Sequence, residues 1–368
     1  MTITVWDYLK EYEQEKEEIY AAVEQVFSSG RLILGESVRQ FEQEFAAYCG
    51  VAHGVGVDNG TNAITLGLRA IGVQPGDEVV TVANTAVPTV SAIVSAGAVP
   101  RFVDIELDTY LMDTDQLEQA ITAKTSCILP VHLYGQCVNM TAVNAVAQRH
   151  SLLVLEDCAQ AHGAVFQGNV AGSMSDAAAY SFYPTKILGA YGDGGMVLTG
   201  NDAVDDKLRR LRFYGMENTY YAEEHGYNSR LDEIHAEILR RKLRHLDEYI
   251  ARRRKLAAQY DKKLAGTGLM LPAVARGNEH AYYLFVVRHK QRDEIISRLK
   301  EKDIFVNVSY PWPIHTMRGY AYLGYKEGDL PNTEAAVQEI FSLPMYPTLA
   351  DSEQDVICEA LHTIVAAL

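Results

Sequence analysis

A carbonyl cofactor needs an amine to hold it as a Schiff base and a carboxylate at its ring nitrogen to keep that nitrogen protonated. Residues of both types stand here in a suggestive order. Lys186 closes the segment Ser181-Phe182-Tyr183-Pro184-Thr185-Lys186 and is followed by the glycine-rich Gly189-Ala190-Tyr191-Gly192-Asp193-Gly194-Gly195. It lies 29 positions after Asp157, which ends a strand-like run. The arrangement points to pyridoxal phosphate, with Lys186 as the amine and Asp157 as the carboxylate. In isolation Lys186 reads as an ordinary solvated loop lysine; the surrounding residues overturn that reading.

The phosphate of such a cofactor needs converging donors. Asp58-Asn59-Gly60-Thr61-Asn62-Ala63 opens a helical run, where free backbone amides and the helix dipole favour an anion. By itself the segment is also an Asn-Gly turn before a capped helix. Ser181, five residues before Lys186, can donate its hydroxyl to the same phosphate. Glu156-Asp157-Cys158-Ala159-Gln160-Ala161-His162-Gly163 follows the apolar Leu152-Leu153-Val154-Leu155, so Asp157 stands at a strand end where an aspartate can be desolvated and aimed inward, although an isolated Glu-Asp pair there also reads as the start of a turn. Gln160 can reach the cofactor's phenolic oxygen, and His162 reads as a core histidine. The G-x-G-x-x-G of a dinucleotide-binding turn is missing after the first strand, which argues against a nicotinamide oxidoreductase.

These residues need a scaffold that brings strand ends to one edge. From about Val55 to Thr199 short β-rich runs alternate with helical stretches, the pattern of an α/β fold with a mostly parallel sheet flanked by helices. Strands are expected at Glu78–Val82, Pro100–Asp104, Ser126–Pro130, Leu152–Asp157, Ala178–Phe182 and Met196–Thr199. Helices are expected at Thr61–Ile71, Val87–Ala96 and Met140–His150. Right-handed crossovers then place the strand C-termini, and the candidate residues, along one edge. A single long helix is expected within Ser229–Leu264. After it come a strand at Tyr282–Val287, a helix at Gln291–Glu301, a strand at Phe305–Val308 and helices at Asn332–Ile340 and Ser352–Ala367. The expected division is a large cofactor-binding domain over 1–248 and a smaller α+β domain over 249–368.

The 368 residues, 48% hydrophobic and 22% charged, suit a globular protein too large for one core. A formal net charge of −15 argues against nucleic-acid or membrane-surface binding. Five cysteines without paired spacing indicate neither a disulfide framework nor a zinc cluster, and no metal site is expected. With no secretory or spanning segment in view, a cytoplasmic location is expected.

Together, the segments around Gly30-Arg31-Leu32-Ile33-Leu34-Gly35, Glu156–Ala164, Ser181–Lys186 and Gly226-Tyr227-Asn228-Ser229-Arg230-Leu231-Asp232-Glu233 resemble the DegT-type nucleotide-sugar aminotransferases, a branch of the fold-type I pyridoxal phosphate enzymes. The resemblance covers essentially the whole chain. It implies that Lys186 holds the cofactor as a Schiff base, Asp157 pairs with the pyridine nitrogen and Gln160 contacts the ring oxygen. Gly60, Thr61, the amide of Asn62 and Ser181 would hold the phosphate. It also implies a homodimer in which Asn228 reaches the partner's phosphate. Tyr183 and His315 would face the substrate, although His315 reads equally as a packing residue. The expected reaction moves an amino group from glutamate to a nucleotide-linked keto sugar, at C3 of a dTDP-3-keto-6-deoxyhexose, with C4 as the alternative. A non-catalytic cofactor-binding regulator on this scaffold is a further alternative; a dehydratase relative would replace the lysine with histidine. Two positions depart from the family pattern. Ala86 stands where an aromatic commonly stacks on the ring, and Ile187 where asparagine often follows the lysine.

Overall fold

The computed structural model describes residues 2–218 and 220–368. Its centre is a seven-stranded sheet: β1 (His53–Val57), β2 (Glu78–Val82), β3 (Val99–Val103), β4 (Thr125–Ile128), β5 (Leu153–Asp157), β6 (Ala177–Ser181) and β7 (Gly195–Thr199). The spatial order is β1-β7-β6-β5-β4-β2-β3. The pairs β2–β3, β2–β4, β4–β5 and β5–β6 are parallel, as alternating strand and helix patterns require. β7 runs antiparallel to both β6 and β1. The connection from β6 to β7, residues 182–194, contains no helix, so the chain turns back beside the strand it has just left. Lys186 lies on that connection.

This topology brings the candidate residues to one edge. β1 and β6 are each antiparallel to β7 and therefore share a direction, which β5 also follows. Their C-terminal ends deliver Asp58-Asn59, Asp157 and Ser181 to the same side of the sheet. β1 carries Gly54 and Gly56, poor strand formers whose missing side chains hid it from the sequence pattern. A Cβ at Gly54 would stand 2.7 Å from the backbone oxygen of Glu42, so the glycine is required by close approach of helix α2 (Glu36–Cys49). Neither α2 nor the preceding helix α1 (Tyr8–Ser29) was anticipated from the sequence.

The region expected to form one long helix forms two, Glu233–Leu243 and Leu246–Leu264, broken at Arg244-His245. The first helix and the start of the second, Leu246 and Ile250, serve one core, and the remainder of the second serves another. Ala236 and Leu239 join the cluster around the seven-stranded sheet, whereas Leu256, Ala257, Tyr260 and Leu264 join a second cluster. That second core contains the antiparallel pair β8 (Phe285–Arg288) and β9 (Ile340–Leu343), the helices Arg292–Lys300 and Asp351–Val365, and Ile3 from the N-terminus. The strand expected at Phe305–Val308 does not form. Its neighbourhood makes two isolated bridges to different partners, Ile304 to Ile3 and Asn307 to Ser342, so no continuous ladder develops. Among the described residues no helix is long and apolar enough to cross a membrane.

Two histidines are sealed in these cores. His162 lies among Phe45, Tyr180 and Phe182 with ring centroids 6.4, 5.1 and 5.8 Å away, and neither of its nitrogens has a hydrogen-bond partner. Burial, reinforced by the Lys186 charge, pushes it down to about 3. His280 stacks on Tyr282 at 4.0 Å, and burial lowers it to about 3 as well. Because both folded values are depressed, protonation favours the unfolded chain. Stability is full above the unfolded value near 6.5 and falls as pH drops toward 3, by about 1.4 kcal/mol per pH unit for each histidine. Urea midpoints measured from pH 7 to 5 should decline accordingly, and His162→Leu should flatten the decline by one proton's share; an unchanged slope would show that His162 is charged in the fold.

Candidate active site

A cavity of about 690 Å³ opens at the sheet edge, lined by Asn59, Gly60, Thr61, Asn62 and Ser181 and by Asp157, Gln160, Tyr183 and Lys186. Eight of the ten residues singled out from the sequence therefore share one cavity. The other two lie elsewhere in the chain. His315 is buried on a 3-10 turn, its Nε2 2.9 Å from Glu334 Oε1, where it packs against Tyr325. Asn228 is exposed and bridges to Phe213 without lining the cavity of its own chain.

At one end of the cavity is the N-terminus of helix α3 (Gly60–Ile71). Asn59 caps it, accepting from the Asn62 amide at 2.8 Å, and the Asn62 side chain donates to Asp58 at 2.9 Å. The Asn62 amide is thus engaged within the cap, while the amides of Gly60 and Thr61 have no acceptor among the described residues. A Cβ at Gly60 would lie 2.6 Å from Ser181 Cβ, so only glycine lets the helix start directly against β6. The Ser181 hydroxyl stands beside those free amides, a cradle whose donors suit a phosphate.

At the other end Asp157 is buried at the tip of β5. Its Oδ2 accepts from the Thr89 hydroxyl at 2.8 Å and its Oδ1 from the Ala159 amide at 3.1 Å. Thr89 in turn meets Thr85 at 2.9 Å. Burial holds the Asp157 carboxyl above the usual carboxylate range, against the opposing effects of Thr89, Ala159 and the Lys186 charge. No cation hydrogen-bonds this carboxyl among the described residues, and a protonated ring nitrogen would supply one. Gln160 accepts from the Tyr134 amide at 2.8 Å and donates to Tyr310.

Lys186 lies between these ends, its Nζ 4.5 Å from the centre of the Tyr283 ring. Burial would raise the Tyr283 phenol, but the Lys186 charge and the Thr185 hydroxyl, 3.1 Å from the phenolic oxygen, bring it below its ordinary value. Ala86, the N-cap of helix α4 (Val87–Ser95), joins Pro88, Val131 and Ala159 as the small apolar walls of the cavity. Tyr183, half exposed, stands at the rim. The sequence reading missed Thr85, Thr89 and Tyr283. Thr89 lies one helical turn after Thr85 at the start of α4, a spacing that was legible; Tyr283 arrives from a distant segment with no local signal.

A buried cluster of His132, Glu156 and Cys158 lies close by. His132 Nδ1 accepts from the Val138 amide at 3.1 Å, which leaves Nε2 to donate to Glu156 at 2.8 Å. Glu156 also accepts from the amides of Gly172 and Met174 and from Ser175. His132 and Glu156 are engaged in hydrogen bonds that lock β5 in place, and these hold the Glu156 carboxyl below its usual range despite burial.

Residues 13–362 match the DegT/DnrJ/EryC1/StrS aminotransferase family. The chain belongs to this family. It is 58% identical, over all of both chains, to a dTDP-3-amino-3,4,6-trideoxy-alpha-D-glucose transaminase of Micromonospora megalomicea subsp. nigra. It is 45% identical to a pleiotropic regulatory protein of Geobacillus stearothermophilus, with 98% of each chain covered. The solved structure of S. venezuelae DesV in complex with a ketimine intermediate superposes with a TM-score of 0.97 at 41% identity, covering 99% of this chain and 98% of DesV. The protein is an aminotransferase that uses pyridoxal phosphate, and the free amides beside Ser181 together with the buried carboxyl of Asp157 fit that cofactor.

Thr89→Val should remove the hydroxyl that stabilises ionised Asp157. A lost hydrogen bond to a charged group predicts pyridoxal phosphate binding weaker by about tenfold. Equilibrium dialysis of the apoenzyme measures this; unchanged affinity would show that Thr89 does not support the carboxylate.

Proposed function

We propose that this enzyme transfers the amino group of glutamate to C3 of a dTDP-linked 3-keto-6-deoxyhexose. The observation that carries this reading is the 58% identity, without truncation of either chain, to a transaminase named for a 3-amino dTDP sugar. Lys186 is assigned as the amine that holds the cofactor, and Asp157 as the partner of its ring nitrogen. The amides of Gly60 and Thr61, with the hydroxyls of Thr61 and Ser181, are assigned to its phosphate. When bound, pyridoxal phosphate supplies an electron-withdrawing ring that accepts the electrons left when a substrate carbon loses a proton. Lys186 Nζ, once displaced by the substrate, is the group placed to take that proton and return it. The Thr89 and Ala159 hydrogen bonds favour the ionised form of Asp157 against burial, and that carboxylate would keep the ring nitrogen protonated. Gln160, pinned by Tyr134 and Tyr310, orients the ring through its oxygen.

Asn228 is exposed and does not line the Lys186 cavity of its own chain, which supports a homodimer in which it completes the site of the second copy. The division into 1–248 and 249–368 is retained as a proposal, with Ile3 reaching across to the second core. The likeness to a pleiotropic regulatory protein favours one other reading, a cofactor-binding regulator without turnover.

Purified protein supplied with glutamate and a panel of nucleotide keto sugars should form the 3-amino product, read by mass. Product at C4 would move the assignment to the other carbon, and no product with any sugar would favour the regulator. Lys186→Arg should lose activity completely, because a guanidinium neither forms the Schiff base nor gives up its proton. In a mixture of Lys186→Arg and Asn228→Ala chains, hybrid dimers hold one intact site. Random reassociation should restore about a quarter of wild-type activity; no recovery would place Asn228 outside the shared site.

A further inference from the structure

Behind the cavity of Lys186 lies a second chamber of about 220 Å³, bounded by Arg253, Asn307, Ser309, Thr185 and Tyr283 among others. Thr185 and Tyr283 line both spaces, and their hydroxyls, 3.1 Å apart, form the partition. Arg253 projects from the helix Leu246–Leu264 and is 3% exposed. Its Nη1 donates to the carbonyl oxygens of Tyr282 and Tyr283 at 3.2 Å and of Met345 at 2.7 Å. Among the described residues its Nε, although buried, has no partner and its Nη2 donates to no group. The unused donors are therefore the Nε–Nη2 edge of the guanidinium, two parallel N–H groups spaced to receive the two oxygens of one carboxylate.

The charge of Arg253 is also unanswered. Glu11 acts on it only at long range and is itself occupied by the Trp6 indole at 2.9 Å. Burial lowers the Arg253 pKa to about 10, so the group stays cationic at neutral pH. A buried cation with free donors is costly until an anion meets it. The chamber is too small for a sugar nucleotide and suits a small organic acid.

The geometry points to a second binding site: a chamber that takes one carboxylate of a small organic acid on the Nε–Nη2 edge of Arg253. The inference rests on the function proposed above in one respect. In that reaction the reactants with small free carboxylates are the amino donor and its oxo-acid product, so the ligand is either the distal carboxylate of the donor or a bystander acid of the same chemistry.

Glutarate, a dicarboxylate without an amine, is the probe, titrated calorimetrically into the holoenzyme. Arg253→Lys keeps a cation near the three carbonyls but loses the paired edge, and Asn307→Leu alters another lining residue of the chamber, one that makes no hydrogen bond to Arg253. Wild-type enzyme should bind one glutarate per chain at this site, weakened about tenfold or more in both variants. If the donor is the ligand, the KM for glutamate rises by a similar factor while the KM for the keto sugar stays unchanged. If a bystander acid is the ligand, glutarate binds without competing with glutamate. Absence of glutarate binding to wild type, or equal binding by wild type and both variants, overturns the proposal. Should Arg253→Lys fail to fold, Asn307→Leu decides alone. Glutarate binding that depends on these residues, without turnover of any keto sugar, would leave the chamber standing and remove the proposed reaction.

Discussion

The close approach of α3 to β6 is the constraint on which the site depends. A helix end can present free amides to an anion only if its first residue is not crowded out, and Gly60 stands where any side chain would strike Ser181. That contact fixes the donors at one end of the cavity. Because β5 is hydrogen-bonded beside β6, it also fixes how far away Asp157 can be. The distance between anion cradle and carboxyl is thereby set by strand spacing, which side-chain motion cannot alter. Lys186, on the helix-free return from β6 to β7, is delivered to the same cavity.

A carboxyl as buried as Asp157 resists ionisation, and the enclosure built around it is polar where it has to be. Thr85 and Thr89 supply a two-hydroxyl chain from α4, and Ala159 an amide from the turn after β5. Around this centre other buried groups are kept in defined states. Glu156 is held ionised by four donors and anchors the strand, while burial and the nearby Lys186 charge keep His162 neutral. The polarity of the region is thus divided between one carboxylate that supports the fold and one that awaits a cationic partner.

Much of this was legible in the sequence because it is local. The apolar run Leu152–Leu155 ending in an acid, the Asn-Gly helix start and the serine-to-lysine spacing each report one strand end or one helix start. The central strands were placed to within about two residues by their short β-rich runs. What escaped depends on distant contacts. β1 is disguised by glycines that exist for the sake of α2. The helix break at Arg244-His245 leaves no mark in the apolar spacing, which runs on from Leu243 to Leu246. Tyr283 and Arg253 come from segments distant in the chain, so no local pattern marks them. Ala86 lines the cavity, and the small residues around it contain no aromatic substitute for stacking; nothing in the structure explains Ile187.

The central claim is that Lys186 is the residue that carries the cofactor. Holoenzyme reduced with borohydride and digested should yield one peptide bearing a pyridoxyl group, on Lys186 Nζ. A label on any other lysine, or no covalent label at all, would contradict the account.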